Sequence, residues 1–314
     1  MPVRSKWQSL PTEAINPATL DIDKLPADEV VELMITEDRK MLAAVQKEKA
    51  RIAMGADLIA AALRKNGRVV FVGAGTSGRL GVLESAEMPP TFSTEPTVVQ
   101  AIMAGGKSAI LGAKEGVEDN YEEGARAINR LRPTKKDVVV GVSASGMTQF
   151  VRGALTRARK AGARIIFVTC DPGTELQTFV DLTIAPGVGP EIIAGSTRLK
   201  AGTATKLVLN MLTTAAMIRI GKTYGNLMVD VQTGSEKLKD RARRIVNIVT
   251  GLDYDEADKL LRKAHWNVKA AIVMQKTGLP LTKALSRLRR AHNSMREAIG
   301  EDVEPRLRAV LDGQ

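Results

Sequence analysis

Residues 69–87, VVFVGAGTSGRLGVLESAE, decide the fold of this chain. Four apolar residues, Val69 to Val72, run into Gly73, Gly75 and Gly78, and a helix-like segment opens behind them. Strand, glycine turn and helix form the opening unit of a parallel α/β sheet. In that setting G-x-G-x-x-G is also the fingerprint of a dinucleotide-binding turn. The glycines therefore hold either a nicotinamide cofactor or some other phosphate.

Outward from this unit, short β-branched runs recur at 97–103, 137–142, 164–169 and 181–185, separated by helical spacers such as 149–161. Strand and helix alternating in this way predict a parallel sheet with helices on both faces, buried on both sides. Ahead of it, Val31, Met34, Met41, Val45, Ile52, Leu58 and Ala62 recur at helical spacing across 28–66, which predicts two successive helices. A long helical pattern covers about 200–220, followed by the loop GKTYGNLMVD. Beyond it the strand signal ends. Residues 241–250, 254–263 and 268–275 read as short amphipathic helices split by Gly251, Trp266 and Gly278, with more helix after Pro280. The predicted organisation is a sheet domain over 1–236, with the N-terminal helices, and a small helical domain over 237–314.

A nicotinamide site calls for an acidic residue about 20 positions on, at the end of the second strand. Here that strand, TVVQAIM, runs into Ala104-Gly105-Gly106, and Glu95 stands at its wrong end. The first turn instead carries the hydroxyls of Thr76 and Ser77. A second strand-to-helix turn, VSASGMT, carries Ser143, Ser145, Gly146 and Thr148. Ser and Thr cap helices routinely, which would explain one such turn. Two of them at the carboxyl ends of parallel strands make a site for a phosphate monoester, held by backbone N–H groups and hydroxyls. No cofactor is expected.

Composition removes other classes. The net charge is +11, but residues 237–314 hold 17 Lys and Arg against 10 Asp and Glu, and aromatic residues make up only 3%. Basic runs such as 241–244 and 287–290 therefore read as solvated helix faces, and no nucleic-acid partner is expected. Only His265, His292 and Cys170 offer soft ligands or a triad imidazole, so neither a metal site nor a Ser-His-Asp triad is expected. No apolar run approaches the ~20 residues of a membrane span, and residues 1–26 are polar and proline-marked rather than signal-like. A single cysteine fits a reducing cytoplasm.

The fragments GAGTSGRLG, SASGMT and GPEIIAGSTRLKAGTATKLVLN together resemble the sugar isomerase (SIS) domain. With ESAEMPPTF, AGGKSAILGAKEGVEDN and YGNLMVDVQTGSEKL added, the chain resembles one branch of it, the N-acetylmuramic acid 6-phosphate etherases, over nearly its whole length. The resemblance implies a three-layer α/β fold of flavodoxin-like order, with a small C-terminal helical domain of ubiquitin-associated type. It also implies a homodimer acting on a sugar phosphate: water cleaves the lactyl ether of N-acetylmuramate 6-phosphate to N-acetylglucosamine 6-phosphate and D-lactate in cell-wall recycling. Carried over residue by residue, the phosphate positions fall on Ser77, Ser143, Ser145 and Thr148, with Thr76 beside them. The catalytic glutamates fall on Glu87 and on Glu118, rather than Glu115, and Glu191 matches an acidic position near the sugar. Met88 stands where relatives often carry cysteine.

The chemistry fits that set. In the open-chain sugar the carbonyl acidifies the C2 proton; one carboxylate removes it, and one carboxylic acid protonates the departing C3 oxygen. Glu118 is the expected base and Glu87 the expected acid, kept protonated by burial. Against this, Glu84 and Glu87, like Glu115 and Glu118, are spaced i, i+3 and could simply line exposed helix faces. Arg198 and Lys200 read either as substrate contacts or as caps of the long helix, and Cys170 as a small buried residue. Glu87 also lies about 15 Å beyond Ser77 along a straight helix, farther than one sugar spans from its 6-phosphate to C3. A neighbouring subunit supplying Glu87 resolves this. The rival readings are a sugar-phosphate sensor and an aldose–ketose isomerase, and lactate release separates all three.

Overall fold

The computed structural model describes Trp7 and residues 10–312; residues 1–6, 8 and 9 of the polar N-terminal stretch, and residues 313 and 314, lie outside the described residues. After α1 (Ala27–Lys47) and α2 (Lys49–Arg64) come β1 (Val69–Gly73), α3 (Gly75–Phe92), β2 (Val99–Met103), α4 (Ser108–Leu111) and α5 (Tyr121–Arg130). Then follow β3 (Val138–Val142), α6 (Gln149–Lys160), β4 (Arg164–Val168), β5 (Leu182–Ile184) and α7 (Lys200–Arg219). Each strand falls within the apolar run that predicted it, give or take a residue. The strands form one parallel sheet in the order β2-β1-β3-β4-β5. The order changes direction between β1 and β3, and a crevice outside their carboxyl ends is where open α/β sheets take their ligands.

Alternate strand residues face opposite layers. Val70, Val72, Val139, Ile165 and Phe167 pack with Ile128 of α5 and Phe150, Val151 and Leu155 of α6. On the other face, Phe71 lies against α3, where a Cβ on Gly81 would come within 2.9 Å of Phe71 Cβ. Gly55 of α2 fits against Leu212 of α7 and Leu182 of β5. Helices on both faces of a buried sheet make the three layers that the resemblance implies.

Two glycines set the closest helix contact. A Cβ on Gly124 of α5 would lie 1.9 Å from the Phe150 carbonyl oxygen, and one on Gly153 of α6 would lie 2.0 Å from that of Tyr121. The two helices therefore meet backbone to backbone, and α6 is held beside the single helical turn Val117–Asp119 that precedes α5.

The chain divides into two units. The first comprises the described residues up to Ala86 together with Pro96–Ala215; the second comprises Glu87–Glu95 and the described residues from Ala216 on. The expected boundary at 236/237 follows the end of the strand signal. Packing instead groups the loop before it with the helices after it, because Tyr224, Val229 and Val231 share the core of Val246, Leu261, Ile272 and Val273. That second core is built by α8 (Glu236–Thr250), α9 (Tyr254–Lys263), α10 (Val268–Thr277), α11 (Leu281–Arg290), α12 (Met295–Ile299) and α13 (Glu304–Asp312). Gly251 and Gly278 end α8 and α10 in the left-handed region, and His265 and Trp266 make the corresponding bend after α9. At its centre Lys269 is buried, donating from Nζ to Asp230 Oδ2 at 2.7 Å and to the carbonyls of Gly221 and Asn293. Burial lowers its pKa, and Asp230 opposes that. No helix among the described residues is long and apolar enough to cross a membrane.

Candidate active site

The first turn explains its own glycines. A Cβ on Gly73 would lie 2.7 Å from Gly78 N, and one on Gly78 would lie 2.8 Å from Gly73 O. These two are glycine so that α3 can seat directly on the end of β1. Gly75 is different: its φ is +54° and nothing lies within 4 Å of its Cβ position, so the turn is open above it. Thr76 and Ser77 follow in the first turn of α3, half-buried. The fingerprint thus serves helix–strand packing and leaves an exposed N-terminus.

The second turn is held by its neighbours. Cys170 donates its backbone N–H to Ala144 O at 3.0 Å, and Gly146, at φ +73°, leaves the space that a Cβ would take from Thr174 Oγ1. Thr148 precedes α6 without capping it: its hydroxyl shares a 2.8 Å hydrogen bond with the buried Ser143 Oγ. The first N–H groups of α6 are thereby left without a side-chain cap. Ser145 Oγ accepts from Met147 N at 3.3 Å.

Both turns open on one cavity of about 550 Å³. Thr76, Ser77, Ser143, Ser145 and Thr148 all line it, so the five hydroxyl residues expected to bind phosphate are brought together. Glu118 lines it as well, half-buried. It belongs to the turn Val117–Asp119, entered through Gly116 at φ +75°, and Asn120 closes the turn by capping α5. Glu115, also on the cavity, lies on the other side of that glycine, so the pair does not share a helix face. Arg79 fixes this loop: its guanidinium donates to the carbonyls of Ala109 and Ile110, both at 2.9 Å, and of Gly112.

Two expected residues are placed elsewhere. Glu191 is fully buried, and its two carboxylate oxygens accept from the backbone N–H groups of Lys200 and Ala201 at 3.0 and 2.9 Å. It caps α7 and does not line the cavity. Burial pushes its pKa up, and those two N–H groups pull it back. Lys200 does not line the cavity either; its side chain turns inward to Glu37. Glu87 belongs to the second unit and is exposed on α3, contrary to the burial expected of a proton donor, whereas Glu84 is buried and bonded to Asn210 and Thr213. The two lie on neighbouring positions of one helix face, about 60° apart, so the edge of the buried stripe falls between them. Cys170 is buried, and burial pushes its thiol up to about 12, which rules it out as a nucleophile.

Sequence reasoning missed Glu13, Lys114 and Thr197, which also line the cavity. Their segments have no periodicity, and only the folded chain brings them to the crevice.

Comparison with known proteins shows the family. Residues 51–159 match the model of the glucokinase regulatory protein N-terminal SIS domain, and residues 121–215 match that of the SIS domain. The N-acetylmuramic acid 6-phosphate etherase of Salinibacter ruber is 47% identical over 94% of this chain and 95% of its own length. The enzyme of that name from Trichormus variabilis is 49% identical over 92% and 94%. Among solved structures, a phosphoheptose isomerase from Francisella tularensis superposes with a TM-score of 0.48 at 19% identity, over 61% of this chain and 97% of that one. Nearly half its residues shared over more than nine-tenths of its length, the chain belongs to the N-acetylmuramic acid 6-phosphate etherase family.

Proposed function

We infer that this chain is a carbon–oxygen lyase that cleaves the D-lactyl ether of N-acetylmuramic acid 6-phosphate with water, in cytoplasmic recycling of cell-wall amino sugars. The observation that carries the reading is one cavity holding five hydroxyl residues at two helix N-termini and a carboxylate, Glu118, beside them. The hydroxyls and N–H groups of the two turns bind the 6-phosphate. Glu118 removes the C2 proton of the open-chain sugar. Glu87 protonates the C3 oxygen as lactate leaves, then activates the water that adds across the double bond. Since Glu87 is exposed in its own chain, the partner of a homodimer covers it. The helices α8 to α13 act as an appended module of ubiquitin-associated type.

The experiment is lactate release in deuterated water. Purified protein should liberate D-lactate from N-acetylmuramate 6-phosphate in the presence of a chelator, and the product sugar should carry deuterium at C2. Formation of a ketose phosphate without lactate would make the protein an isomerase, and binding without turnover would make it a sensor.

A further inference from the structure

The described residues ahead of α1 form three single helical turns, Pro11–Glu13, Pro17–Thr19 and Ile22–Lys24. Long-range bonds hold this strap down on either side of Glu13. Gly195 donates its N–H to Thr12 O at 3.1 Å, and Asn16 Nδ2 donates to Glu37 Oε2 at 3.2 Å and to Pro190 O at 3.5 Å. Thr12 and Asn16 are buried, while Glu13 between them is exposed and lines the active-site cavity. Its carboxylate rests over Gly195, where a Cβ would stand 3.0 Å from Oε2. Among the described residues no hydrogen bond or ion pair engages that carboxylate.

A carboxylate only accepts hydrogen bonds, so it recognises O–H and N–H groups and repels a phosphate. The cavity already assigns its hydroxyls and free N–H groups to the phosphate. What remains of an amino-sugar phosphate is a carbon chain bearing hydroxyls and an amide N–H, the donors that Glu13 lacks. We propose that Glu13 is a specificity-determining residue that accepts hydrogen bonds from the hydroxyl or amide N–H groups of the substrate sugar. The proposal rests on the substrate class inferred above.

Calorimetry on the full chain tests it, with N-acetylglucosamine 6-phosphate and inorganic phosphate as separate ligands. Glu13→Ala should weaken the sugar phosphate about tenfold or more and leave inorganic phosphate within about twofold. Glu13→Gln, whose amide oxygen still accepts, should recover part of the loss. Unchanged sugar-phosphate affinity in Glu13→Ala overturns the proposal. A parallel loss of both ligands overturns it too, because the residue would then act only by holding the strap. A parent chain that binds the sugar phosphate yet releases no lactate overturns the etherase reading alone, with the Glu13 result still read from the ratio of the two affinities. A parent chain that does not bind the sugar phosphate overturns both.

Discussion

Lys200 shows how one residue can secure the site without touching it. Its backbone N–H is taken by Glu191, and its ammonium group lies 2.5 Å from Glu37 Oε2, both side chains being 3% exposed. Burial alone would raise the Glu37 carboxyl, but the ammonium groups of Lys200 and Lys40 hold it down to about 2. The folded state therefore favours the charged form. That contribution is complete above the ordinary carboxylate value of 4.5 and is lost as the pH falls through about 2. Glu37→Gln would strand Lys200 as a buried unpaired charge, at a cost of roughly 3–5 kcal/mol at pH 7. Denaturant unfolding of parent and variant at pH 7, 4 and 2.5 should show that gap narrowing as the medium becomes more acid; a constant gap would leave the pair without an electrostatic role. None of this was legible in the sequence. Glu37 and Lys200 are 163 positions apart, and each taken alone reads as an ordinary charged residue on a helix.

Elements were more readable than residues, because periodicity is local and pairing is not. The five strands, the two N-terminal helices and both hydroxyl turns followed from apolar spacing and turn composition. The strap carrying Glu13 could not be read, since its three short turns bury Thr12 and Asn16 against residues far along the chain. The glycines of α5 and α6 were equally silent: within a helix a glycine reads as a mild defect, and its use appears only when the facing backbone is placed. Gly153→Ala should be costly. Its methyl would fall 2.0 Å from the Tyr121 carbonyl oxygen, so the helices must separate. We expect a loss of about 2 kcal/mol or more in denaturant unfolding, with a fall in kcat because the turn bearing Glu118 abuts α6. If Gly153→Ala keeps both stability and kcat, the contact does not position Glu118.

At the scale of the whole molecule, the proposed sharing of a site between two chains makes a demand that single substitutions cannot test. The hydroxyls proposed to bind phosphate line a cavity of the first unit, whereas Glu87 belongs to the second and is exposed. If a homodimer completes each site with its partner's Glu87, inactive Glu87→Gln and inactive Ser145→Ala chains should restore activity when mixed. A mixed dimer then holds one site with both lesions and one with neither, about half the parental activity per mixed dimer. No recovery in verified mixed dimers would place both residues in the same chain's site. The buried thiol of Cys170 has a consequence of another kind. It is the only sulfhydryl in the sequence, 1% exposed at the end of β4, with its Sγ 3.8 Å from the Ala201 carbonyl oxygen. Alkylating reagents can reach it only when that part of the sheet opens, and no second sulfhydryl competes for them. The chain therefore carries its own clock, whose ticks are the opening events of the unit that holds the cavity.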